Sequence, residues 1–88
     1  MEGSSNSEFL VARGQRAEAF MATEMFSLLI RDVEQDIISE SLGSEPHEVK
    51  KREGLYQKHQ GLKGLVETLN SYIEIGLAEQ ERLESLED

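Results

Sequence analysis

Two histidines, His47 and His59, are the side chains best suited to proton transfer or metal ligation near neutral pH in this 88-residue chain. They stand twelve residues apart, and neither has a Glu three positions before it, the spacing by which helical bundles present a di-iron pair. His59 falls on an apolar helical seam, where an imidazole more readily packs, or fixes register, than ligates. Gly61-Leu62-Lys63-Gly64 has the letters of a phosphate loop, but it lies in a helical pattern whose amides are already bonded. No serine occupies a nucleophile elbow and no His-Glu-x-x-His is present. The 18 carboxylates are numerous, yet no pair is set in an apolar pocket that would push two pKa values apart. The residue types therefore predict no catalytic residue, no cofactor and no metal site.

Charge and size narrow the classes further. Eighteen acids against nine bases give a formal charge of -9, which opposes general binding to nucleic acid or to an anionic membrane. With no cysteine, disulfides and thiolate metal sites cannot staple so short a chain, and stability must come from helices or from partners. No apolar run is long enough to span a bilayer, and the start, Met1 to Ser7, lacks the basic and apolar regions of a signal peptide. These features read as a cytosolic chain.

The elements that position these residues are helical throughout. Residues 1–7 are rich in Gly, Ser and Asn and predict a flexible arm, with Ser7 as N-cap of a helix over about 8–42. Phe26, Ile30, Val33 and Ile37 step four, three, four along it. Thr23 offers the one internal break, so two forms stay open: a single bent helix, or helices over 8–21 and 24–41. Gly43 predicts a left-handed C′ residue, and Ser44 with Pro46 a new helical start. A second helix over about 45–75 carries the heptad seam Leu55, His59, Leu62, Val66, Leu69 and Ile73, with Gly76 and Leu77 as its Schellman end. Residues 77–88 predict an acidic, solvated tail. The fold class expected is all-α, an antiparallel helical hairpin over 8–76.

A two-helix hairpin can hide only one stripe per helix, and this chain has more apolar surface than that. Phe9, Phe20, Met25, Phe26, Leu29, Tyr56, Leu65 and Tyr72 are the expected interface anchors. Gly54 and Gly61, one heptad apart, either admit another helix closely or are tolerated weak spots. Three arrangements would cover the surplus: the first segment folding back into a three-helix domain, docking on a different protein, or, as expected here, packing of copies into an oligomeric bundle. Asp32, Glu34, Asp36 and Glu40 before the turn, and Lys50, Lys51 and Arg52 after it, predict intramolecular charge pairing that sets register.

The runs Arg52-Glu53-Gly54-Leu55-Tyr56, Leu62-Lys63-Gly64-Leu65-Val66-Glu67-Thr68-Leu69 and Ile73-Glu74-Ile75-Gly76-Leu77-Ala78-Glu79, preceded by Arg16-Ala17-Glu18-Ala19-Phe20, resemble small helical-hairpin proteins encoded among the virion-structure genes of tailed bacteriophages. The likeness spans residues 10–79 and carries no catalytic residues. It implies a non-enzymatic capsid-associated, neck or assembly component, found in the virion or in host cytoplasm before assembly. The expected partners are further copies of the chain and a larger phage structural protein, with no nucleic acid, membrane or metal. The alternative expectation is a phage inhibitor of host defence: an acidic nucleic-acid mimic, or a cyclic-nucleotide sponge using Lys50, Lys51, Arg52, Lys58 and Lys63.

Overall fold

The computed structural model describes residues 2–87; Met1 of the expected arm and Asp88 of the expected tail lie outside the described residues. Three helices follow in order: α1 Glu2–Met21, α2 Glu24–Leu42 and α3 Val49–Glu87. No strand occurs among the described residues. At 1.5 Å per residue the 39 residues of α3 make a rod of about 58 Å. That rod accounts for most of the molecule's 63 Å length, against 25 and 17 Å in the other directions.

The break between α1 and α2 is at Thr23, the second of the two forms the sequence leaves open. Thr23 is extended (φ -72°, ψ 146°), its Oγ1 accepts from the Phe26 amide at 3.1 Å, and the same hydroxyl donates to the Phe20 carbonyl at 2.7 Å. One hydroxyl thus closes α1 and opens α2, satisfying an orphan group on each side. Phe20 and Phe26 face each other across the break, ring centroids 5.1 Å apart at 59°. That tilted contact stiffens the joint beyond what area burial gives.

Both shorter helices lie antiparallel on α3. Ser7 meets Glu79 and Arg82, and Gly14 meets Tyr72 and Gly76, so α1 runs against the C-terminal half. Glu34 shares a groove with His59 and Glu67, so α2 runs beside the N-terminal half. The arrangement is not a plain two-helix hairpin, because one long helix supports two short ones in unequal measure. α1 packs along α3 far more extensively than α2 does. The buried apolar core is small: Ala17, Phe26, Ile37 and Leu55.

Several boundaries differ from the sequence expectations. α1 begins at Glu2, inside the segment read as an arm, and Ser7 is an interior helical residue instead of an N-cap. Gly43 caps α2 with φ -84°, a right-handed conformation, not the left-handed C′ form. α3 starts at Val49, not at 45. Between them the Glu48 carboxylate accepts from the Glu45 amide at 2.8 Å, and the Arg52 guanidinium donates to the carbonyls of Glu45 and Pro46 at 2.6 and 3.0 Å. Those side chains satisfy the backbone of a short turn around Pro46, so the helix has no need to begin earlier.

The largest correction concerns Gly76. Instead of ending a helix, it lies buried in the middle of α3, which continues helical through Glu87 and takes in most of the expected tail. A Cβ built on Gly76 would sit 3.1 Å from the Cα of Gly14 and 3.1 Å from the Leu10 carbonyl oxygen. Two glycines facing each other let the backbones of α1 and α3 touch. The cost of each glycine within a helix is thereby offset by close packing.

Candidate interaction surface

The tight half is built around that glycine contact. Ala17 is buried next to Gly14 on α1, so the small residues follow a single stripe with Leu10 and Met21 at helical spacing. One side of the crossing is closed by Arg13, whose guanidinium carbon stands 4.0 Å from the Tyr72 ring centroid and 5.7 Å from that of Phe9. The Arg13 Nε is buried with no hydrogen-bond partner, and the two ring faces receive the charge in place of an acceptor. Phe9 remains largely exposed while Tyr72 is half-buried.

Toward the molecule's end a polar clasp continues the contact. The Ser7 hydroxyl is buried and donates to the Glu79 carboxylate, and Arg82 donates to Ser7 Oγ at 2.8 Å and to Glu79 Oε1 at 3.0 Å. Hydrogen bonds from Arg82 first, then from Ser7, hold the Glu79 carboxyl below its usual range, and Glu79 in turn raises Arg82. The clasp ties the first turns of α1 to α3 over a sequence separation of 72 residues.

The loose half is different. Leu55 and Phe26 are buried, but Leu62, Val66, Leu69 and Ile73 of the seam are half-buried, and His59 is exposed. Among the anchors expected from the sequence, Phe20, Met25, Leu29, Tyr56 and Leu65 are each at least half exposed. Ile38, Leu42 and Val49, not named in advance, join them. Gly54 and Gly61 have nothing within 4 Å of a built Cβ, so no helix of this chain approaches them. A groove of about 410 Å³ opens between α2 and α3, lined by Glu34, His59, Leu62, Lys63, Val66 and Glu67.

Charge follows the same division. α2 holds five acids and one base, net -4, while residues 49–64 of α3 hold five bases and one acid, net +4. The expected pairing of Asp32, Glu34, Asp36 and Glu40 with Lys50, Lys51 and Arg52 is not made: among the described residues no ion pair joins α2 to α3. Arg31 pairs instead with Asp32 at 3.7 Å and Lys51 with Glu48 at 3.9 Å, both exposed and worth little. Arg52 is directed to the turn carbonyls, which removes it from the acids of α2.

Sequence reasoning missed Gly14, Arg13 and the Ser7, Glu79, Arg82 clasp. The Leu10, Gly14, Ala17, Met21 stripe was a legible signal for the first; the clasp depends on α3 passing through Gly76 and had none. Among the described residues no cluster of three or more His, Cys, Asp and Glu could hold a metal ion, and no helix is long and apolar enough to cross a membrane. In comparisons with protein-family models, with curated proteins and with solved structures, the chain matches none.

Proposed function

We propose that this protein is a non-catalytic structural or assembly subunit that works by helix-helix packing, as a homo-oligomer of broken hairpins and against a larger protein. The observation that carries the reading is surplus surface. A compact chain of 88 residues exposes roughly 5,200 Å², whereas this one exposes 6804 Å². Its radius of gyration is 18.7 Å, against about 12 Å for a compact domain of its length. Large apolar side chains lie on that surface, Leu42, Leu86 and Met25 the most exposed among them. Apolar surface of that extent is the mark of an interaction face.

The resemblance to tailed-phage virion proteins supplies the setting: a component of the particle, present in the virion or in host cytoplasm before assembly. Size-exclusion chromatography with light scattering tests the self-association. A stable oligomer is the expected result, and a folded monomer at all concentrations, with no affinity for particle proteins, refutes it.

One observation favours a second reading, an inhibitor that presents acids in place of nucleic acid. The acidic residues Glu79, Glu81 and Glu84 stand on continuous helix, giving the order that a phosphate mimic needs. Glu81→Gln with Glu84→Gln, which leaves Glu79 and Arg82 clasped, distinguishes the readings: a mimic loses its inhibition, and an assembly subunit still oligomerises.

A further inference from the structure

We propose that two copies of this chain pack side by side about a two-fold axis parallel to α3, each laying its α2 on the N-terminal half of the other's α3. The proposal rests on the self-association reading and gives it a face, a charge pattern and a register.

The helix pair has two flanks, and contacts within the chain mark both. On one, Glu34 and Lys63 line the groove between α2 and α3. On the other, Arg13 lies on the Tyr72 ring. Steps of seven residues keep to one helical face, so Lys51, Lys58 and Leu65 stand on the Tyr72 flank, with Gly54 and Gly61 beside them. On α2, Leu29 and Asp36 lie across the seam from Glu34 and fall on that same flank. Leu29 is 54% exposed and Leu65 55%, and a Cβ built on Gly54 or Gly61 meets nothing within 4 Å. Large side chains on α2 thus stand beside a hollowed strip on α3, and neither is covered.

Charge identifies a second copy as the occupant. α2 carries net -4 and residues 49–64 of α3 net +4. On this flank the acids, Asp32 and Asp36, belong to α2, and the bases, Lys51 and Lys58, belong to α3. A two-fold axis running along the rods exchanges the two helices, so each acidic α2 meets the basic segment of the other copy. Asp36 and Lys58 have no ion-pair partner among the described residues of the single chain.

The same axis fixes the register. Rotation about a line parallel to α3 moves nothing along it, so α2 meets the other copy's α3 at the level it holds in its own chain. Leu42 and Val49 flank the turn, and Gly14 meets Gly76. Counting inward from both at 1.5 Å per residue, Leu29 comes level with Gly61 and Asp36 with Gly54, to within about one turn. Leu29 of each copy then fills the hollow at Gly61 of the other, and Asp36 enters between Lys51 and Lys58. The two glycines that no helix of their own chain approaches thereby face one.

The test uses the full chain, with light scattering over a dilution series and circular dichroism as the folding control. The unaltered chain forms a dimer. Gly61→Leu meets nothing in its own chain, so it keeps the fold, and it fills the hollow and weakens the dimer about tenfold or more. Asp36→Lys in one variant, and Lys51→Asp with Lys58→Asp in a second, each set like charges together and weaken the dimer by a similar factor. An equimolar mixture of those two variants restores it. Each variant keeps like charges within its own chain, so recovery on mixing reports a contact between chains. Weakened homodimers that do not recover on mixing overturn the pairing of α2 with α3. An oligomer indifferent to Gly61→Leu and to both charge reversals overturns this face and leaves self-association standing. A folded chain that never associates overturns both.

Discussion

Along α3 the same kind of sequence meets two different neighbours. In its C-terminal half, Tyr72, Gly76 and Glu79 receive α1 at backbone contact, with rings, a clasp and buried small residues. In its N-terminal half, Leu55 is buried against α2, yet the groove beside it stays open and Gly54 and Gly61 face empty space. The seam runs through both, so apolar spacing alone does not decide how closely helices pack. What differs is the opposite surface: α1 offers Gly14 and Ala17, while α2 offers Phe26, Ile30, Val33 and Ile37, which hold the axes apart. Small residues facing small residues make the tight half, and the loose half leaves apolar side chains and a groove open.

The largest effect that would break this comparison is expected at the joint. Phe26→Ala removes a buried ring that packs on Phe20, and should cost about 3–4 kcal/mol. Thermal unfolding followed by circular dichroism measures it, and hydrogen exchange should show α2 losing protection before α1. Equal loss in both helices would mean that the two halves are a single cooperative unit.

Glycine substitutions sharpen the contrast because one change has opposite signs in the two halves. Gly14→Ala places a methyl 2.7 Å from the Tyr72 carbonyl oxygen, with backbone in the way, and should cost about 1–3 kcal/mol. Gly54→Ala and Gly61→Ala meet nothing, and each should stabilise the monomer by up to about 1 kcal/mol. Denaturant midpoints read both. If Gly61→Ala instead weakens an oligomer, a partner packs on that strip of α3.

The smallest effect is acid-dependent and local. Because the folded-state pKa of Glu79 is lowered, its contribution is fully present above the ordinary carboxylate range and is lost as pH falls through the lowered value. Below that point the clasp opens and the start of α1 should fray, visible as faster exchange near Ser7 with the Gly14 contact intact. Glu79→Gln should abolish this acid response.

These contrasts also separate what was legible in the residues from what was not. The helical class, the Thr23 break and the turn near Gly43 follow from local chemistry: a hydroxyl before Glu24, and Gly-Ser-x-Pro between periodic segments. Gly76 was misjudged because a glycine reads the same as a helix end or as a crossing point, and only the facing Gly14 decides between them. The predicted pairing of acids and bases across the turn failed for a related reason. Arg52 had backbone carbonyls closer at hand, which no charge count reveals. Met25, Leu29, Tyr56 and Leu65 stay exposed in the single chain because α1 and α2 cover only one face of α3.

The unbroken course of α3 has a mechanical consequence. α1 and α2 are separate pieces joined at Thr23, while α3 runs without a joint from Val49 to Glu87. The two ends of α3 therefore lie about 58 Å apart, a separation set by its 39 residues instead of by the pose of its neighbours.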